Sequence, residues 1–306
     1  MPKQPLSELV ISRTFDAPVS MVWDAWTRPE HFTKWWGPKP YTAPTVKMDV
    51  RTGGTFLWSM MSPEGREHFN AGTFREVTPR RRLVCDIFFS DAKGNHMSPA
   101  EHGLPGDWDG RQTIHVTFEE LGERTRITIR QSGFPAGEIQ GMARAGWSTS
   151  LDKLHESLVE GRAIVLGRVF DAPRKLVWEA WTRPEHTAKW WGPKGFSTKT
   201  IEMDFREGGL WRHTMVGPDG TEYPNYTEFL EIVEPERLVY RNGTGPSDPE
   251  WFRATVTFME FAGQTHVNMI SVFPSKDARN EVAEKYGAIE GGIQHLANLA
   301  EYLKTL

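Results

Sequence analysis

The periodicity of hydrophobic and polar residues changes three times along each half of this 306-residue chain, and both halves show the same succession of patterns. Each half opens with a short β-prone run, 9–15 or 163–170, which predicts a strand. Apolar residues four positions apart come next and indicate a short amphipathic helix. Ranges 41–131 and 196–273 then hold short β-prone runs separated by turns, which predicts an antiparallel meander of six further strands per half.

The last segment of each half returns to a helical period. The apolar positions, spaced three or four apart, are Trp147, Leu151, Leu154 and Leu158, and later Val282, Tyr286, Ile289, Ile293, Leu296, Ala300 and Leu303. We therefore predict a long closing helix in each half, whose apolar stripe is buried on the concave face of the sheet. The fold class is α+β.

A second short helix is expected directly after the first. Thr27-Arg28-Pro29-Glu30 and Thr182-Arg183-Pro184-Glu185 have the pattern of capping boxes. The following Trp-Trp-Gly-Pro segments at 35–38 and 190–193 predict the end of that helix, since glycine followed by proline stops helices.

The two halves are copies of one unit. Phe15-Asp16-Ala17-Pro18 recurs 155 positions later as Phe170-Asp171-Ala172-Pro173, and four tryptophans in each copy keep the same register. The offset falls to 140 at Val116-Thr117-Phe118, so copy one carries about fifteen extra residues within 90–110. A period this long exceeds that of solenoid repeats, which predicts two separately cored domains, 8–160 and 162–306.

Composition excludes several classes of function. A net charge of −4 and a pI near 6.2 argue against nucleic-acid or anionic-membrane binding. No 18-residue apolar stretch or leader-like h-region is present, so we expect a cytoplasmic protein without a membrane segment. The single cysteine, Cys85, excludes an internal disulfide and a cysteine-based metal cage.

The repeated motifs resemble those of a known superfamily. Phe-Asp-Ala-Pro, Val-Trp-x-Ala-Trp-Thr and Trp-Trp-Gly-Pro together look like SRPBCC domains, the START or birch-pollen-allergen helix-grip fold, in the branch of the activator of the ninety-kilodalton heat-shock-protein ATPase. The resemblance implies two tandem domains, each a curved antiparallel sheet around a long C-terminal helix. It also implies an apolar ligand cavity between the sheet and that helix.

Copy two contains a candidate acid–base set. His213 alternates with Trp211 and Met215 on one face of a strand, and Glu222, Tyr223 and Tyr240 lie on the next two strands. An imidazole near a carboxylate and a phenol can exchange protons with a substrate. The alternative is a structural histidine, and copy one has Trp58 at the equivalent position, which cannot exchange a proton near neutral pH.

Candidate ligand contacts are the residues expected to face the cavities from the strands, the insert and the closing helices. These are Trp58, Met60, Glu67, His68, Trp108 and Trp147 in copy one, and Trp211, Met215, Arg241, Tyr286 and Gly291 in copy two. Glycines within the closing helices, such as Gly146 and Gly292, indicate either close contact with a strand or room for a ligand.

The insert at about 90–110 allows two interpretations. Its histidines, His96 and His102, and its carboxylates are suitable ligands for a divalent metal, but their spacing matches no metal motif and their Gly and Pro neighbours indicate a loop. As a lid, the loop would cover the first cavity with Leu104 and Trp108. We expect no bound metal and no cofactor.

Three functions remain open at this point. The first is binding of a small hydrophobic or aromatic molecule, and the second is an enzyme such as a cyclase, dehydratase or hydrolase acting on an aromatic or polyketide-like substrate. The third, implied by the resemblance, is activation of a chaperone ATPase through protein contact. We expect a monomer whose two domains pair, because the connector Glu160-Gly161-Arg162 is short.

Overall fold

A computed structural model describes residues 6–105, 108–248, 251–261 and 263–306, with the side chain of Phe261 excepted. The chain divides into two compact units, 1–159 and 160–306. No helix among the described residues is long and apolar enough to cross a membrane.

The described part of the first unit contains one antiparallel sheet and three α-helices. Its strands are β1 (Leu6–Phe15), β2 (Val46–Met48), β3 (Thr55–Met61), β4 (Glu67–Thr78), β5 (Arg82–Ser90), β6 (Gln112–Leu121) and β7 (Arg124–Pro135). Its helices are α1 (Val19–Thr27), α2 (Pro29–Phe32) and α3 (Glu138–Leu158). The strand order β1-β7-β6-β5-β4-β3-β2 makes an unbroken meander from β2 to β7, with β1 added beside β7.

The second unit repeats this topology. Its strands are β8 (Ala163–Phe170), β9 (Ser197–Met203), β10 (Leu210–Val216), β11 (Glu222–Val233), β12 (Arg237–Gly243), β13 (Phe252–Phe261) and β14 (Gln264–Val272), in the order β8-β14-β13-β12-β11-β10-β9. Its helices are α4 (Arg174–Thr182), α5 (Pro184–Trp190), α6 (Lys276–Lys285) and α7 (Ala288–Leu303). The α+β prediction and the six strands after each opening strand are thus confirmed.

The closing helices differ between the units. In α3 the predicted stripe Trp147, Leu151, Leu154 and Leu158 is buried along one continuous helix. In the second unit the predicted single helix is wrong, because Gly287 at φ +61° separates α6 from α7. Of that stripe only Leu296 and Leu303 are buried, together with Leu299, which the stripe did not include, while 65% of Tyr286 and 48% of Ile293 are exposed.

The predicted capping boxes are also wrong. Arg28 and Arg183 occupy the N-cap positions of α2 and α5 without a side-chain cap. Thr27 still belongs to α1, and its hydroxyl donates to the carbonyl oxygen of Trp23 at 2.8 Å. Thr182 donates to Trp178 in the same way at 2.8 Å, because a threonine inside a helix can hydrogen-bond back to the preceding turn.

Tryptophans join the short helices to the core of each unit. The Trp35 indole donates to the Ala25 carbonyl oxygen at 2.8 Å, and the Trp190 indole donates to Ala180 at 2.9 Å. Trp26 and Trp35 are both buried, with ring centroids 4.7 Å apart. These contacts place the Trp-Trp-Gly-Pro segment against the interior of the sheet.

Candidate functional site

The first unit contains a cavity of about 240 Å³ between its sheet and α3. An apolar protein cavity of about 150 Å³ accommodates benzene, whereas sites for drug-sized molecules usually exceed about 300 Å³. The volume therefore suits a molecule of one or two rings. The cavity is lined by Trp36, Gly37, Pro38, Met60, Asn70, Ile87, Phe89, Leu104, Trp108, Gln112, Ile114, Gln131, Phe134, Ile139, Met142, Ala143, Gly146, Trp147 and Ser150.

The described wall is apolar apart from a few amide and hydroxyl groups, and none of the lining residues within the described ranges is charged or titrates near neutral pH. Trp147 stacks against Trp26 with ring centroids 6.0 Å apart and meets the edge of Trp36 at 5.8 Å. Its indole nitrogen donates to Gln131 Oε1 at 2.5 Å. Gln131 Nε2 donates in turn to Gln112 Oε1 at 2.5 Å.

Lys153 holds the Trp36-Gly37-Pro38 part of the wall in place. Its Nζ donates to the carbonyl oxygens of Trp36, Gly37 and Tyr41 at 3.2, 3.0 and 2.8 Å. Burial, assisted by the positive charge of Lys39, lowers the pKa of Lys153 to about 8. Gly37 has φ +85°, and a Cβ there would meet Met60 Cγ at 2.9 Å, so this turn requires glycine.

The insert forms part of the same wall, since Leu104 and Trp108 both line the cavity. His102, at the end of a 3₁₀ turn spanning Pro99–His102, lies with its Nδ1 3.4 Å from His68 Nδ1 on β4. Burial lowers the pKa of both imidazoles. The described part of the insert therefore contacts the sheet beside the cavity, as a lid would.

The two histidines of the insert do not come together as metal ligands. His96 Nε2 lies 2.8 Å from the Asp109 carbonyl oxygen, whereas His102 lies beside His68, so the two histidines of the insert have separate partners. Within the described ranges, no group of three or more His, Cys, Asp or Glu residues is close enough to hold a metal ion.

Three of the six candidate ligand contacts in the first unit line the cavity: Met60, Trp108 and Trp147. The other three do not line it. Trp58 is buried and stacks on Phe56 at 3.8 Å, Glu67 accepts a hydrogen bond from Thr45 at 3.0 Å, and His68 contacts the insert as described above.

The amide residues of the cavity, Asn70, Gln112 and Gln131, were not predicted from the sequence. A signal existed for Gln131, since it continues the alternation of the fully buried Ile127 and Ile129 on β7. A polar residue in a buried alternating position points toward an interior function.

The structure does not bring the proposed acid–base set of the second unit together. His213 is 1% exposed and stacks on Trp211 at 3.9 Å. Glu222 lies at the exposed start of β11, 3.9 Å from Lys199, and the exposed Tyr223 packs beside Phe196 at 5.8 Å.

Tyr240, the fourth member, is buried on β12, and its hydroxyl lies 3.9 Å from the sulfur of Met269. Burial raises the pKa of Tyr240, which makes this phenol a poor proton donor. An imidazole, a carboxylate and a phenol converging on one substrate position are therefore not observed among the residues that the structure describes.

His295 on α7 is the neighbour of His213 that the sequence did not indicate. Its Nδ1 accepts a hydrogen bond from the Gly192 N–H at 2.9 Å, and its ring lies 4.5 Å from that of Trp191. Burial, with a further contribution from His213, lowers the pKa of His295 to about 3, and burial lowers that of His213 to about 4. Both imidazoles are therefore neutral at pH 7.

The remaining candidates of the second unit occupy varied surroundings. Trp211 is buried and donates to Thr200 at 3.2 Å, and the half-buried Met215 lies beside Gly192. Arg241 forms an ion pair with Glu228 at 2.6 Å. Tyr286 is exposed, whereas a Cβ on Gly291 would be 3.5 Å from Pro193 Cγ, an ordinary contact.

The two interpretations of the helix glycines apply to different units. The buried leucines of the two closing helices match at an offset of 145: Leu151, Leu154 and Leu158 with Leu296, Leu299 and Leu303. At this offset Gly292 is the equivalent of Trp147. A Cβ on Gly292 would meet Leu166 Cδ1 at 2.2 Å, so this glycine permits close contact with a strand. Gly146 has no atom within 4 Å of such a Cβ and lines the cavity.

Comparison with known proteins gives a family match in both units. The family model for "Activator of Hsp90 ATPase homolog 1-like protein" matches residues 16–159 and again 171–304. No curated protein matches the chain.

Solved structures similar to this chain include single-unit proteins from two bacteria. One from Nitrosomonas europaea is 27% identical, covers 48% of this chain and 96% of its own, and has a TM-score of 0.44. One from Arthrobacter aurescens is 28% identical, covers 48% and 89%, and has a TM-score of 0.46.

Proposed function

Because the chain belongs to the activator of Hsp90 ATPase homolog 1-like family in both of its units, we propose that it binds a small hydrophobic or aromatic molecule in the cavity of the first unit. The observation that carries this proposal is the cavity of about 240 Å³, lined almost wholly by apolar and aromatic side chains. Burial of a ligand's apolar surface there supplies the binding free energy, at about 25 cal/mol per Å².

Gly146 provides a direct test of this proposal. A leucine side chain at this position on α3 would enter the cavity, since nothing lies within 4 Å of a Cβ there. Gly141 is the matched control, because it lies on the same helix, is exposed and does not line the cavity.

Binding of naphthalene to the full chain, followed by ligand-detected NMR, is the assay. We expect Gly146→Leu to weaken naphthalene binding at least tenfold and Gly141→Leu to leave it unchanged. Equal affinities of the wild type and Gly146→Leu, or no binding to the wild type, would contradict the proposal. Native mass spectrometry of freshly purified protein would add the mass and stoichiometry of any co-purifying molecule.

An enzymatic use of the same cavity has less support. The part of its lining that the structure describes offers no group that titrates between about pH 3 and 10, which a general acid or base requires. The nearest equivalent in the second unit is the buried His213 with the half-buried His295, without the carboxylate and phenol that the enzyme hypothesis included.

Activation of a heat-shock ATPase is a second candidate, and the description of the matching family is the observation that favours it. The ATPase rate of the chaperone with and without this protein is the direct measurement. An unchanged rate at saturating protein would exclude this function.

A further inference from the structure

We propose that the cavity of the first unit selects a neutral ring compound that carries a hydrogen-bond acceptor, such as a ketone. This inference depends on the proposed function, because it concerns the ligand of the same cavity. Its basis is the direction of the hydrogen bonds in the cavity wall, which leaves donor groups without partners, together with the lack of charge among the lining residues.

The direction of the amide chain is set by Trp147. An indole N–H can only donate, so the atom of Gln131 that it contacts must be the amide oxygen. The Gln131 amide nitrogen is then the donor to the Gln112 oxygen. The chain therefore ends at the Gln112 amide nitrogen, which is a donor belonging to a residue of the cavity wall.

Two further donors in the same wall have no partner. The indole nitrogens of Trp36 and Trp108 are buried, and neither has a hydrogen-bond partner among the residues that the structure describes. Trp36 is only 7% exposed, and both residues line the cavity. Because buried donors are normally paired, an acceptor on a ligand would remove an unfavourable feature of the empty site.

Acceptors are fewer in this wall. Asn70 uses its amide nitrogen on the Phe88 carbonyl oxygen at 3.5 Å, which leaves its side-chain oxygen as an acceptor. Ser150 donates its hydroxyl hydrogen to the Gly146 carbonyl oxygen at 2.8 Å. The two buried indole donors thus lack an acceptor, and the Gln112 amide nitrogen is a further donor of the wall. A carbonyl oxygen with two lone pairs can accept from two such donors.

The charge of the ligand follows from the same wall. No lining residue that the structure describes carries a charge, and the nearby Lys153 already donates to three carbonyl oxygens. A carboxylate or an ammonium ion would lose its hydration in this cavity without gaining an ion pair, which strongly disfavours binding. A neutral acceptor satisfies the donors without that loss.

A matched set of three probes tests this selectivity by calorimetry on the full chain. 1-Tetralone carries a ketone, tetralin has a methylene group in its place, and 1-naphthoate is of similar size but charged. We expect tetralone to bind about threefold to tenfold more tightly than tetralin, the range of one net hydrogen bond. Naphthoate should bind more weakly than tetralin.

Phenylalanine variants identify the donors. Trp36→Phe and Trp108→Phe keep an aromatic ring and remove the N–H, so each should reduce the ratio of tetralone to tetralin affinity toward one. Trp191→Phe, at the equivalent of Trp36 in the second unit, is the matched control and should leave the ratio unchanged. In ¹H–¹⁵N spectra, the Trp36 and Trp108 indole signals should move further with tetralone than with tetralin.

The outcomes separate this inference from the proposed function. Equal affinities for tetralone and tetralin would overturn the selectivity and leave apolar binding intact. Failure of both probes and of naphthalene to bind would overturn the proposed function as well. A ketone preference that survives both phenylalanine variants would overturn the assignment of the two indoles as donors.

Discussion

Acidification should destabilise the second unit through His213. Burial lowers the pKa of this imidazole from its ordinary 6.5 to about 4 in the folded protein. Between these values the unfolded chain binds the proton more readily than the folded chain does, so the free energy of unfolding falls as the pH falls. The stability is fully present above about pH 6.5 and is lost as the pH falls through about 4.

The magnitude follows from the separation of the two pKa values. At about 1.4 kcal/mol per pKa unit, the interval from 6.5 to about 4 corresponds to about 3 kcal/mol. About 2 kcal/mol of this should be lost between pH 7 and pH 4.5. His295, whose pKa is also lowered, acts in the same direction, so the His213 part has to be isolated with a variant.

His213→Phe removes the titrating group and keeps a ring to stack on Trp211. Trp58→Phe, at the equivalent position of the first unit, is the matched control, because it replaces one non-titrating ring with another. Urea unfolding at pH 7 and pH 4.5, followed by the indole N–H signals of Trp190 and Trp35, reports on each unit separately.

We expect the second unit of the wild type to lose about 2 kcal/mol more on acidification than that of His213→Phe, and the Trp58→Phe control to behave as the wild type does. Equal losses in the wild type and His213→Phe would refute the reasoning. A titration of the His213 ring signal near pH 6.5 would refute it as well, since an imidazole that titrates normally is not desolvated.

Two further predictions concern buried contacts. Arg13 and Asp152 form an ion pair, and both side chains are about 2% exposed. Asp152→Ala should lower the free energy of unfolding of the first unit by about 3–5 kcal/mol, because it leaves a buried charge unpaired. Urea unfolding measures this loss, and the double variant Arg13→Met with Asp152→Leu should recover most of it. Gly292→Ala should destabilise the second unit by about 1–2 kcal/mol through its overlap with Leu166, whereas Gly146→Ala should stabilise the first by up to about 1 kcal/mol. Losses below 1 kcal/mol for Asp152→Ala, or the same sign for both glycine variants, would contradict these expectations.

Local patterns predicted the elements well and their ends less well. The duplicated motifs, the alternation within strands and the apolar stripe of α3 all correspond to observed elements. The predicted helix ends were wrong where a residue allowed two local conformations or two hydrogen bonds. Gly287 separates α6 from α7, and Thr27 donates back to the turn before it rather than capping α2.

The candidate site was predicted only in part. The position of the cavity between the sheet and the closing helix was implied by the resemblance, and Met60, Trp108 and Trp147 were identified as candidate contacts. The amides of Gln112 and Gln131 were not identified, although their chain determines which hydrogen-bonding groups remain free. The residues proposed for catalysis lie on neighbouring strands, yet Glu222 and Tyr223 are exposed while His213 is buried.

The amino-acid sequence alone determined the duplication, the α+β class and the strand-rich middle of each unit, because these depend on periodicity and turn residues within short windows. Only the tertiary structure decided what occupies each interior. In the first unit Gly146 and Trp147 line an open cavity. In the second unit the Leu166 side chain occupies the position that a side chain on Gly292 would take. That difference arises from side chains that are distant in sequence and meet only when the sheet closes over its helix, so no local pattern contains it.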